Sequence, residues 1–277
     1  MMMESMAANL TKKVLARGAL ANGGARRLLS ASRGAFGVRP EGPEFNGFPL
    51  KNEEAYRLFF EDDNGRTISP WHDVPLYVNK EQRIVNFINE IPRGSVEKME
   101  IATDEELNPI KQDTKKGKLR LYPFQSLVNY GCLPQTWEDP EHKDASTGML
   151  GDNDPVDVVE VGSKVAEMGA IYPVKVLGIL GMIDEGEMDW KTIAIAADDP
   201  LAEHINTVAD LEREMPGKVK SIVDWFKFYK MPDGKPENEF AFDDQAKDEA
   251  FAMDVIELTY KSWENTSNVT KAGLWKP

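Results

Sequence analysis

The run Gly151-Asp152-Asn153-Asp154-Pro155-Val156-Asp157 constrains this chain more than any other. It sets three carboxylates within six positions and stiffens their backbone with one proline. Carboxylates this close repel one another at neutral pH, so water must screen them or a positive group must sit among them. Hard oxygen ligands in a tight cluster suit Mg2+, Mn2+ or Ca2+. The following residues, Val156-Asp157-Val158-Val159-Glu160-Val161, are rich in β-branched side chains and read as a strand. The acids therefore lie at the mouth of a strand. An EF-hand loop is excluded. Counted from Asp152, its fifth, sixth and twelfth positions hold Val156, Asp157 and Ser163, where that loop needs an oxygen ligand, Gly and Glu. A solvated acidic turn remains the competing reading of the run taken alone.

A second acid cluster, Asp184-Glu185-Gly186-Glu187-Met188-Asp189-Trp190-Lys191, weighs against that reading. It joins strand-like apolar runs at 172–180 and 192–196, and Gly186 marks a hairpin connection. Asp189 and Lys191 are two apart and share a face on an extended chain. Upstream, Lys98 and Glu100 share one face of 96–101, opposite Glu97, Met99 and Ile101, while Arg120 points away from Leu119 and Leu121. One such strand is what a half-solvated antiparallel sheet looks like. Several strands offering Asp, Glu, Lys and Arg to one side describe a polar cavity for metals and a highly charged anion.

These residues belong to an ordered set of motifs. Asp152, Asp154, Pro155, Val156, Asp157 and Val158 form the pattern Asp-x-Asp-Pro-apolar-Asp-apolar. With it come Glu90-Ile91-Pro92-Arg93, the stretch 107–120, Asn129-Tyr130-Gly131, Pro134-Gln135-Thr136-Trp137-Glu138-Asp139-Pro140, the 184–191 turn and the stretch 229–238. The set resembles the soluble inorganic pyrophosphatases of family I, eukaryotic type, from about Tyr56 to Trp263. The resemblance implies an α+β, mostly β fold: a closed, mixed five-stranded OB-like barrel flanked by helices. It also implies Mg2+-dependent hydrolysis of inorganic diphosphate to two orthophosphates. Several Mg2+ ions per site are implied, with Mn2+ or Zn2+ as substitutes and Ca2+ inhibitory.

By the same resemblance, Asp152, Asp157 and Asp189 hold a first metal, and Asp157 is shared with a second. Glu100, Asp184 and Asp189 serve the metals that arrive with substrate. Asp154 is the base that takes the proton of the attacking water. Lys98, Arg120, Lys191, Tyr229 and Lys230 grip the phosphates, and Arg120 and Tyr130 count with Asp154 as catalytic residues. Tyr130 and Glu90 line the cavity behind them. A homodimer is implied, with exposed aromatics such as Trp71 as candidates for its contact.

Periodicity adds helices at about 202–214, 217–229 and 245–264 behind strands at about 84–101, 119–133, 156–161, 171–183 and 192–197. The last helix has Phe251, Val255 and Leu258 at helical spacing, preceded by Asp243 and Asp244 as candidate caps. Strands followed by helices read as α+β, with no internal repeat. A hydrophobic content of 41% over 277 residues supplies a sizeable core. The longest apolar stretch, 176–183, is too short to span a bilayer, so no membrane insertion is expected. The lone Cys132 excludes an intrachain disulfide and reads as a small buried hydrophobe, although it directly follows the Asn129-Tyr130-Gly131 motif.

Charge divides the chain. Residues 1–40 carry seven basic residues against Glu4; taking these from 33 basic and 47 acidic residues leaves 26 and 46, a net near −20. The basic head, rich in Ala, Leu and Ser, reads as a transit peptide with an amphipathic helix, and Arg27-Leu28-Leu29-Ser30 resembles a mitochondrial processing site cut after Leu29. A plastid address is the runner-up, and an uncleaved basic arm in a cytoplasmic protein is the third reading. Residues 39–46 read as a linker, and 41–277 as the catalytic domain. The acidic body argues against nucleic acid as a partner. Two other functions compete: a catalytically weak, chromatin- or partner-binding module of the same fold, and an Mg2+-dependent nucleotide hydrolase. The first should have lost carboxylates or cations, and none is lost. The second should carry a phosphate-binding Gly-x-x-x-x-Gly-Lys-[Ser/Thr], which is absent.

Overall fold

Glu185 and Gly186 both adopt positive φ (53° and 96°) and close a tight turn. The turn folds the chain's two longest strands onto each other, with Asp184 opposite Glu187. In this computed structural model, which describes residues 36–45, 48–49, 51–265 and 272–277, that hairpin belongs to a closed ring of strands. The ring comprises β1 (Ile84–Ile91), β2 (Asn129–Cys132), β3 (Asp157–Glu160), β4 (Ile171–Asp184) and β5 (Glu187–Ala196). Neighbours run β1-β2-β3-β5-β4 and back to β1. Within the ring β3 and β5 are parallel and the other neighbours antiparallel. This is the mixed five-stranded OB-like barrel that was expected, and closure leaves its strands no free edge.

The strands read as continuous apolar runs because both of their faces are covered. Val158 and Val159 of β3 go to different core clusters, as do Ile179 and Leu180 of β4, and Ile193 and Ala194 of β5. Helices α1 (Val208–Glu214) and α2 (Lys218–Phe228) join one cluster through Leu211, Ile222, Val223 and Phe226. Helix α3 (Glu249–Glu264) joins the other through Ala252, Val255 and Ile256. Each fully buried Val, Leu, Ile or Phe contributes roughly 1.5–3 kcal/mol. Gly131 is needed where β2 crosses β1, because an added Cβ would stand 2.0 Å from the Ile88 carbonyl oxygen. A bulge between Tyr130 and Gly131 accompanies this close approach.

Beside the barrel, a second sheet runs Gly37–Glu41, Arg57–Glu61, Ile110–Gln112, Met99–Ile101, with Thr67–Ile68 on the Arg57–Glu61 strand. Of residues 39–46, read as a linker, Arg39, Pro40 and Glu41 instead belong to a strand that pairs with Arg57–Glu61. The proposed N-terminal helix, the cleavage point after Leu29 and Asn46 lie outside the described residues.

Several local expectations are corrected. Trp71, named for a subunit contact, is fully buried and donates its indole N–H to the Thr136 carbonyl at 2.8 Å. Helix α3 is capped by Asp248, whose carboxylate accepts from Phe251 N–H, while Asp243 and Asp244 sit at positive φ in a separate short turn. Leu258 is 38% exposed, and Thr259 takes the buried place beside it. The 119–133 strand is interrupted: Lys118–Leu119 closes a small hairpin, and β2 starts only at Asn129. The first helix starts at Val208 rather than near 202, where Thr207 caps it by accepting from Asp210 N–H.

Candidate active site

The parallel register of β3 and β5 sets Asp157 beside Lys191. Asp189 precedes Lys191 by two residues, so both side chains lie on one face. Lys191 Nζ sits 2.5 Å from Asp157 Oδ2 and 2.5 Å from Asp189 Oδ1, and it donates to Tyr130 OH at 2.9 Å. Tyr130 OH in turn donates to Asp157 Oδ2. Lys191 is 2% exposed. Burial works against its charge, but Asp157 and Asp189 override it and hold the ammonium well above the usual lysine pKa.

The acid loop is braced by the 134–139 segment. The Glu138 N–H donates to the Asp154 carbonyl, Asn153 N–H to the Glu138 carbonyl, and Val156 N–H to Thr136 Oγ1. Trp137 Nε1 reaches Asn153 Oδ1. Gly151 allows this contact, because a Cβ there would stand 2.4 Å from the Glu138 carbonyl. Leu150 and Gly151 also pair with Glu187 and Met188, which ties the loop to the second acid cluster.

Three further elements complete the wall. The Met99–Ile101 strand buries Met99 and Ile101 and turns Lys98 and Glu100 to the cavity, as its alternation predicted. Lys98 Nζ lies 2.5 Å from Glu100 and 3.1 Å from Asp113, and Arg120 Nη1 lies 2.8 Å from the same Asp113 oxygen. The Arg120 carbonyl accepts from Gln112 Nε2 and Lys98 N–H, which fixes its backbone. The C-terminal end of α2 delivers Tyr229, stacked on Trp225 at 5.3 Å, and then Lys230, which ion-pairs with Asp184. Glu90, near the end of β1, accepts from Ile101 N–H.

All thirteen residues singled out in the sequence line one open cavity of about 200 Å³: Glu90, Lys98, Glu100, Arg120, Tyr130, Asp152, Asp154, Asp157, Asp184, Asp189, Lys191, Tyr229 and Lys230. Cys132 is buried and lines it too. Two contributors were quoted in the motifs but given no role: Asp113, which orients Lys98 and Arg120, and Glu138, which clusters with Asp152 and Asp189. Their sequence signal is their place in the motif set, because neither shows a periodicity that aims it at the cavity.

Crowding shows in the protonation of the acids. Burial, followed by neighbouring carboxylates, raises Glu138, Asp152 and Glu90 well above the carboxylate range. Burial and Asp157, against the pull of Lys191, push Asp189 up to about 7. Burial and Glu100 push Asp154 up to about 7 as well, although Asp154 opens to the cavity and water moderates the rise. Burial and Asp184 push Tyr229 up to about 12. Carboxylic acids held above their normal pKa, with one buried oxygen of Glu138 lacking any partner, make a donor set that fits divalent cations.

Residues 87–264 match the family described as inorganic pyrophosphatase. The chain belongs to that family. It is 55% identical over 229 residues to the inorganic pyrophosphatase of Homo sapiens, covering 79% of this chain and 78% of that one. It is 53% identical over 209 residues to the chloroplastic soluble inorganic pyrophosphatase 6 of Arabidopsis thaliana, covering 75% and 69%. Its fold superposes with TM-score 0.78 and 39% identity on the N-terminally truncated vacuolar soluble pyrophosphatase of Trypanosoma cruzi in complex with PPi, covering 84% and 91%.

The raised carboxyls make stability depend on pH. A group whose folded pKa lies above its unfolded 3.8 binds more protons when folded, so its contribution is complete below 3.8 and lost as pH rises through about 7. His72, held down to about 4 by burial, acts in the opposite direction, but mostly below its unfolded 6.5. In a chelating buffer the thermal midpoint is therefore expected to fall between pH 6.5 and 8.5. A midpoint that rises over that interval would contradict the assignment.

Proposed function

We propose that this cavity hydrolyses inorganic diphosphate to two orthophosphates, with Mg2+ as the preferred ion. The observation that carries the reading is the pairing of eight carboxyls (Glu90, Glu100, Asp104, Asp152, Asp154, Asp157, Asp184 and Asp189) with five cations (Lys98, Lys111, Arg120, Lys191 and Lys230) around one cavity in a member of this family. A small tetra-anion and divalent cations together match that inventory. A nucleotide would need a base-recognition surface, and charged side chains make up most of the lining of this cavity. A weak binding module would not need every acid and cation.

Asp152, Asp157 and Asp189 would hold the first ion, and Glu100, Asp184 and Asp189 the ions that accompany substrate. Bound there, divalent ions lower the pKa of water and neutralise phosphoryl oxygens. Asp154 faces the open cavity and takes the proton of the attacking water; its raised pKa suits a base working near neutrality. Arg120 offers a fork that two phosphate oxygens can share, and Lys98, Lys191 and Lys230 act as point charges. Tyr229 donates from its phenol, which its raised pKa keeps protonated. Tyr130 orients Asp157 through its hydroxyl.

The basic head supports an organelle address, with mitochondria first and plastids second. Residues 1–40 fused to a fluorescent reporter are expected to carry it into the organelle; a reporter left diffuse in the cytosol would refute the address.

Phosphate release from pyrophosphate by the purified chain is expected to stop with EDTA, return with Mg2+ and fall with excess Ca2+, whose longer bonds and looser geometry misplace the reactants. Activity indifferent to chelation would sink the reading, as would robust hydrolysis of ATP without hydrolysis of pyrophosphate. Asp154→Asn is expected to cut turnover about 10²–10⁴-fold at an unchanged Mg2+ midpoint. Asp157→Asn should instead move that midpoint to higher concentration. Identical Mg2+ titrations for wild type and Asp157→Asn would erase the distinction between base and ligand.

A further inference from the structure

The acids assigned by resemblance leave out one carboxylate that the fold brings to the same place. Oxygens of Glu138, Asp152 and Asp189 all lie within 4.8 Å of one another, a spread that suits oxygens around a single divalent ion. Asp157 is not in that group. Its Oδ2 instead takes both Lys191 Nζ and Tyr130 OH.

Glu138 is held rigidly. Its backbone N–H and carbonyl bond to the acid loop at Asp154 and Asn153, each at 2.9 Å. Its Oε1 accepts from Trp190 N–H at 3.0 Å, directly between Asp189 and Lys191 in sequence. The residue is 3% exposed, and its Oε2 has no hydrogen-bond partner. A buried carboxylate oxygen without a partner is costly, and a fold that fixes one beside two more carboxylates is arranged for a cation.

We infer that Glu138 is a further carboxylate of the divalent-ion site, facing the ion of Asp152 and Asp189 with Oε2 while Trp190 N–H locks Oε1. The inference rests on the reading that this cavity takes divalent ions. Both acid clusters then supply ligands, and Glu138, hydrogen-bonded to both, sets the distance between them. The competing role is purely structural: a neutral Glu138 that only accepts from Trp190.

Glu138→Gln separates the two roles. Glutamine keeps a carbonyl oxygen for Trp190 N–H and replaces the other oxygen by an amide that cannot ligate a cation. Mn2+ binding to the full chain is followed by the free-ion electron paramagnetic resonance signal and by calorimetry. The variant is expected to lose about tenfold or more in affinity at the tightest Mn2+ site. Its circular dichroism and its thermal midpoint in chelator should show no loss of fold. A folded Glu138→Gln that binds Mn2+ as tightly as wild type would overturn the inference. If Glu138→Gln does not fold, Glu138→Asp decides: it keeps the charge but withdraws it by one methylene, so wild-type affinity there would overturn the inference as well. A wild-type chain that binds no Mn2+ would instead remove the parent reading of the cavity.

Discussion

Lys191 is the interaction on which the site depends. An ammonium taken out of water costs several kcal/mol, and only close, well-placed partners offset it. Here two carboxylates and a phenol surround it, and the rings of Tyr130 and Phe226 lie 5.5 and 5.3 Å away. Those partners come from β2, β3, β5 and α2. The barrel must therefore close in this order for Lys191 to be buried at all, and the parallel contact between β3 and β5 is the step that joins the acid loop to the hairpin. Fold and site are in this sense one construction.

The same pattern recurs around the cavity. Lys98 and Arg120 share Asp113, and Lys98 also holds Glu100. Lys230 holds Asp184. Each cation proposed to grip phosphate is thus already paired with an acid, and three of them with acids proposed to hold ions. Under the proposed function, turnover would be an exchange of partners, in which carboxylates that hold ions would release their cations to phosphate oxygens. Such an arrangement keeps many like charges together without unfolding the cavity, and it makes ions and substrate depend on each other.

Much of this was legible in the sequence because strands reveal alternation. Lys98 and Glu100, or Asp189 and Lys191, two apart beside buried neighbours, point to one side whatever the rest of the chain does. The Asp152–Asp157 run announced itself by density. Ring closure was not legible from periodicity, since pairing between β4 and β1 leaves no local mark; it came from the family resemblance. Glu138 and Asp113 were missed because each acts through a long-range contact from an irregular segment. Trp71 reads as a surface residue because a tryptophan outside any strong pattern gives no sign of burial. The strand at Gly37–Glu41 is hidden by Pro40 and Gly42, which read as linker residues, although Pro40 suits an outer strand and Gly42 lies just past its end.

The exchange of partners is tested most directly by crystals of this chain soaked in Mn2+ and measured at the manganese absorption edge. An anomalous peak is expected between Asp152 and Asp189, with Lys191 Nζ withdrawn from at least one of its two carboxylates. A cavity without a peak, or a peak with Lys191 still bridging Asp157 and Asp189 at 2.5 Å, would contradict it.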